Sequence, residues 1–142
     1  MQIGVTSDEA VTNRCVFVIH GCEISRAALQ LILQDEYETH EWSTIDQALA
    51  RLRERRPDLL IIGAGELGAT EAGVMDGIRK ASPGTRILVV VVDAAAGAEP
   101  GGWQAAGTHG LLSQPLTVET VRRKVRLALG LRAVLAIGVE AG

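Results

Sequence analysis

The chain has 142 residues, 47% of them hydrophobic and 22% charged, and a formal net charge of −3. That length suits one domain able to bury a core without disulfides or a structural metal, and the composition is too apolar for disorder. The slight acidity offers no general attraction to nucleic acid or to anionic membranes, so neither is an expected partner.

Met1 to Glu9 shows no basic stretch followed by an apolar one, so no secretion signal is legible and a cytoplasmic location is expected. The longest apolar run, Ile87 to Val92, is far shorter than the roughly 20 residues that span a bilayer. The organisation expected is one domain over 1–142, with a core at 15–130, an N-terminal extension at 1–14 and a tail at 131–142.

In chain order, the first strand is Cys15 to Ile19. Ile24, Ala27, Ala28 and Leu31 follow at i, i+3, i+4 and i+7, the apolar stripe of an amphipathic helix. A second strand runs from Glu38 to Trp42, with Trp42 ending what reads as an inner strand. Ser43 and Thr44 signal a helix cap, and Ile45, Ala48, Leu49 and Leu52 give the next stripe. The third strand, Leu59 to Ile62, enters the glycine-rich stretch Gly63 to Gly68, and a third helix carries Ile78 and Arg79. After the fourth strand, Ile87 to Val92, residues 94–102 are rich in Ala, Gly and Pro and predict a short or frayed helix just before Trp103. Leu111 and Leu112 mark a fifth strand. Thr117 caps the last helix, with Glu119 in its first turn and Val118, Val121 and Val125 as its stripe. The apolar tail reads equally as a helix extension, an added strand or a docking segment.

Three of the five strand runs are continuously apolar, as strands buried on both faces must be. Strands alternating with helices predict a parallel sheet with helices on both faces, the doubly wound α/β class. With strand order 2-1-3-4-5, ligands and chemistry gather at the carboxyl ends of the first and third strands. The loops His20-Gly21-Cys22 and Gly63 to Gly68 are therefore the candidate site.

From Val16 to about Leu129 the chain resembles the receiver domain of bacterial response regulators. The resemblance is carried by Arg55-Arg56-Pro57-Asp58 before the third strand and by Ala106-Gly107-Thr108-His109-Gly110-Leu111-Leu112-Ser113-Gln114-Pro115-Leu116. In receivers the latter reads as Ala-Gly, a short strand and a cis Lys-Pro. The ungapped distance from Gly63 to Ile78-Arg79 also matches the family. This likeness implies a flavodoxin-like (βα)5 doubly wound sandwich with a five-stranded parallel sheet.

A receiver holds Mg²⁺ with an acidic pair after the first strand and an Asp ending the third, and that Asp attacks a phosphoryl group. A hydroxyl and a Lys then bind the phosphoryl oxygens. The matching positions here are His20 and Gly21 for the acids, Gly63 for the nucleophile, Val91 for the hydroxyl and Gln114 for the Lys. Leu111 stands where the family has an aromatic switch residue. Glu23, Glu66 and Asp93 lie in the right loops but are displaced by two or three residues, and are expected to point elsewhere.

The resemblance with these departures implies a pseudo-receiver: no enzyme, no cofactor, and signalling through a protein partner or a second copy. The expected contact face is the helix before the fifth strand, that strand and the last helix, with Trp103, Leu111, Arg122 and Arg126. An alternative of a different class comes from Gly63, Gly65 and Gly68, a GxGxxG match, with Asp93 ending the next strand. That pattern lets a backbone approach a nucleotide pyrophosphate. In a dinucleotide fold, however, this unit stands first, and here it is third. No metal is expected from His20, Cys22 and Glu23, because no second ligand cluster accompanies them and His40 and His109 belong elsewhere on the fold. Cys15 and Cys22 sit at opposite ends of one strand, roughly 20 Å apart, too far to form a disulfide.

Overall fold

Continuous apolar sequence puts three strands, β1 (Cys15–Ile19), β3 (Leu59–Gly63) and β4 (Arg86–Val91), in the middle of the sheet. The computed structural model describes residues 14–67, 71–92 and 108–130. In it, β2 (Glu38–Trp42) and β5 (Gly110–Ser113) form the edges of a wholly parallel sheet ordered β2-β1-β3-β4-β5. This is the doubly wound flavodoxin-like arrangement expected from the sequence.

Alternation along each strand divides the core in two. Val16, Val18, Leu59, Ile61, Leu88, Val90 and Leu112 face α1 (Glu23–Leu33) and α5 (Val118–Ala128). Phe17, Ile19, Leu60, Ile62, Ile87 and Val89 face the opposite layer, α2 (Ile45–Arg55) and α4 (Glu71–Ala81). A single turn, α3 (Ala64–Leu67), stands between β3 and α4.

The capping signals hold. Thr44 Oγ1 accepts from the Gln47 N–H at 3.4 Å, and Thr117 Oγ1 from the Thr120 N–H at 3.2 Å. Helix α2 ends at Arg56, whose left-handed φ of 49° turns the chain before Pro57. Asp58 then joins the lead-in to the sheet, its Oδ2 accepting the Cys15 N–H at 2.9 Å.

Three sequence expectations are corrected. On α1 the buried stripe is Ser25, Leu29, Ile32 and Leu33, while Ile24 and Leu31 of the predicted stripe are 81% and 64% exposed. Two apolar rows overlap on this helix, and the row with three large aliphatic side chains removes more area from water when buried. Trp42 lies on an edge strand and is half-buried. On α5, Val121 and Val125 are joined by Ala128, and Val118 is largely exposed.

The segment 93–107 with Asp93 and Trp103, Gly68, residues 1–13 and the tail from 131 lie outside the described residues. Among the described residues no helix is long and apolar enough to cross a membrane.

Leu29→Ala should cost about 2–5 kcal/mol, as a truncation in a packed core does. Leu31→Ala, two positions along the same helix, should change stability by no more than about 0.5 kcal/mol. Urea denaturation of both variants tests which row α1 buries.

Candidate functional site

The register that pairs Ile19 of β1 with Ile62 of β3 brings His20 and Gly63 side by side at the carboxyl end of the sheet. His20 extends the β1–β2 ladder, its N–H donating to the Trp42 carbonyl at 3.1 Å. Arg26 of α1 clamps the loop by donating from Nη1 to the His20 carbonyl at 2.7 Å and from Nε to Glu41 at 3.1 Å. The His20 Nδ1 accepts the Cys22 N–H at 3.1 Å. Burial, reinforced by Arg26 and opposed by Glu66, holds the His20 pKa below its usual value.

The imidazole of His20 lies over Gly63. A Cβ at residue 63 would stand 3.0–3.2 Å from Cδ2, Nε2 and Cγ of the ring, so the ring occupies the space that a side chain there would enter. Gly63 is in strand conformation, and a side chain there would fit only if the His20 ring gave way by a few tenths of an ångström.

Glu66 makes the second such pair. From α3 its carboxylate crosses to the β1–α1 loop, where Oε2 accepts the Gly21 N–H at 2.9 Å. A Cβ at Gly21 would lie 2.5 Å from that oxygen. Glu66 therefore points into the strand-end cluster and not elsewhere, contrary to the sequence expectation. Its reach depends on α3: one helical turn after Gly63 swings residue 66 back over the neighbouring strand end.

The remaining positions close the cluster. Val91 is buried at the end of β4, and its carbonyl accepts the Gln114 N–H at 2.9 Å. Gln114, before a cis Pro115, donates from Nε2 to the Ser25 hydroxyl at 2.6 Å, which ties the β5–α5 loop to α1. Cys22, exposed at the N-terminus of α1, has its thiol pKa lowered by hydrogen bonds from the Ser25 backbone and hydroxyl and the Ile24 backbone.

Gly65 sits in α3, exposed, with open space where a Cβ would be. Of the GxGxxG glycines, Gly63 is accounted for by His20, and Gly68 lies outside the described residues.

Of the expected contact face, Trp103 and the helix before the fifth strand lie outside the described residues. Leu111 is half-buried against the α2/α4 layer. Arg122 and Arg126 both pair with Glu36 just beyond α1, at 3.8 and 3.2 Å, and so join α5 to α1. Sequence reasoning missed an open groove of about 450 Å³, lined by Ile24, Ser25 and Ala28 of α1 with Val92, Gln114, Pro115 and Leu116, and apolar except at Ser25 and Gln114. The signal was legible as the α1 stripe assigned to the core.

No family model and no curated protein sequence matches the chain. Solved structures do. A response regulator from Thermotoga maritima is 19% identical with a TM-score of 0.72, the match covering 83% of this chain and 98% of that one. The chemotaxis response regulator CheY4 of Vibrio cholerae is 23% identical with a TM-score of 0.71, over 82% of this chain and 99% of that one. The fold is that of a receiver domain. A putative pilus assembly-related protein from Burkholderia pseudomallei shares this receiver fold at 20% identity and a TM-score of 0.68, over 84% of this chain and 92% of that one.

Gly63→Ala should destabilise this receiver fold by about 1–3 kcal/mol through overpacking against His20. The loss should shrink in a His20→Ala background, and denaturation of the two single variants and the double variant gives the coupling. Burial also lowers the pKa of His109, so two histidines favour their neutral forms in the fold. Their contribution is fully present above the usual value of 6.5 and is lost as pH falls below it, because the unfolded chain then binds more protons. The urea midpoint should therefore fall between about pH 7.5 and 5.5, and by less in His20→Asn.

Proposed function

We propose that the protein is a pseudo-receiver, a module of two-component-type signal transduction that acts by binding a protein partner or a second copy of itself and is not phosphorylated. The observation that carries this reading is the occupation of the strand-end cluster: the His20 ring takes the space of a residue-63 side chain, and the Glu66 carboxylate takes that of a residue-21 side chain.

Phosphoryl transfer to a receiver needs a nucleophilic carboxylate beside a hard cation with several oxygen ligands. Gly63 supplies no nucleophile. Glu66 offers one carboxylate already engaged by an amide, and Gln114 brings no positive charge. Large apolar side chains exposed on one side of the domain, Ile24, Leu31 and Val92, favour a role in contact with another protein. The glycine-loop alternative has less support, since the His20 ring already lies over Gly63, the first glycine of the pattern.

The test is thermal unfolding of the full chain with Mg²⁺ and beryllofluoride, alongside mass measurement after incubation with acetyl phosphate. A ligand at about a hundred times its dissociation constant adds about 2.7 kcal/mol, a shift of several degrees for a domain of this size. No shift and no added phosphoryl mass are expected. A beryllofluoride-dependent shift or a phosphorylated species would overturn the reading.

A further inference from the structure

At the opposite end of the sheet, the parallel register sets Cys15 beside Glu38 and Phe17 beside His40. Residues 15, 38 and 40 then share the α2/α4 face, two on the edge strand and one on its neighbour. Cys15 Sγ, a Glu38 carboxylate oxygen and a His40 ring nitrogen all lie within 4.8 Å of one another. His40 Nε2 and Glu38 Oε2 are 2.8 Å apart.

We propose that Cys15, Glu38 and His40 form a three-ligand site for Zn²⁺, with its fourth position open toward the cavity beside β2 and α2. The donor set is one thiolate, one imidazole and one carboxylate. These are the ligands Zn²⁺ takes, and a thiolate disfavours Mg²⁺ and Ca²⁺, which prefer oxygen. Ligand atoms around tetrahedral Zn²⁺ stand roughly 3.3–3.8 Å apart, so a bound ion would open the 2.8 Å contact between His40 and Glu38 and draw both toward Cys15 Sγ, which is fixed in β1. His40 and Glu38 are both only part-buried at an edge strand and can rotate to do so.

Three further observations support a cation here. A cavity of about 310 Å³ bounded by Phe17, His40, Trp42, Arg51, Glu54 and Arg55 gives entry from solvent and room for a bound water. Arg55 holds Glu38 through both carboxylate oxygens, with its Nε 3.0 Å from Oε2, the role an outer partner of a ligating carboxylate performs. The local charge also balances. With a neutral thiol and imidazole, Glu38, Asp58 and Arg55 sum to −1, whereas Zn²⁺ with a Cys15 thiolate brings the group to neutrality. This site is independent of the strand-end cluster and of the proposed signalling role.

The test is Co²⁺ titration of the full chain, of Cys22→Ser, Cys15→Ser and His40→Gln, followed by displacement with Zn²⁺. The expected result is a sulfur-to-cobalt charge-transfer band with tetrahedral d–d absorption, saturating at one equivalent and bleached by Zn²⁺. It should be intact in Cys22→Ser and absent in Cys15→Ser. In His40→Gln, which changes a part-exposed side chain, the affinity should fall by more than about tenfold with an unchanged circular dichroism spectrum. No charge-transfer band in the parent would overturn the proposal. So would a band lost in Cys22→Ser, which would assign the ligand to the exposed thiol, or one bound equally well by His40→Gln.

Discussion

The pairing of β1 with β3 between two helical layers holds the rest of the molecule in place. Val16, Phe17, Val18 and Ile19 face Leu59 to Ile62 across this ladder, and all of these side chains are excluded from water. A parallel ladder covered on both faces has no tolerance for slippage, because a one-residue shift would send every side chain into the wrong layer. This register sets His20 beside Gly63 at the carboxyl end. The pairing of β1 with β2 sets Cys15 beside Glu38 at the amino end.

At the carboxyl end the chain solves a packing problem with two complementary pairs. Where residue 63 has no side chain, the ring of His20 fills the space; where residue 21 has none, Glu66 reaches over and satisfies its amide. Arg26 and Gln114 hold the surrounding loops to α1, so the cluster is a set of satisfied polar groups on a rigid scaffold. Receivers use this place for charge and metal chemistry, and here the same backbone supports an imidazole, one committed carboxylate and a neutral amide. The surface beside it is apolar, with Ile24 and Val92 turned to solvent.

Several features are legible in the amino-acid sequence. Unbroken apolar runs such as Leu59 to Ile62 can only be buried on both faces, so strand type, sheet type and the location of the site follow together. Thr44 and Thr117 mark helix starts because a hydroxyl there satisfies an otherwise unpaired amide. The face of α1 is not legible. Its sequence holds two apolar rows, and which one meets the sheet depends on how the helix is rolled by its neighbours β1, β2 and α5. The direction of Glu66 is hidden for a related reason: it is set by the single turn α3, too short to show a period.

What the sequence alone determined was the class of fold, the strand order suggested by its likeness to receivers, and the absence at His20, Gly21, Gly63, Val91 and Gln114 of the groups that receiver chemistry uses. The fold class follows from composition and spacing, and the strand order and the matching of those five positions from the likeness to receivers. What only the tertiary structure decided were the relations between residues far apart in the chain: His20 over Gly63, Glu66 against Gly21, Cys15 beside Glu38 and His40, and an apolar α1 row left in water. Such contacts arise when strands separated by a helix are drawn into register, and the free energy that aligns them comes from burying the whole sheet, not from the residues that meet.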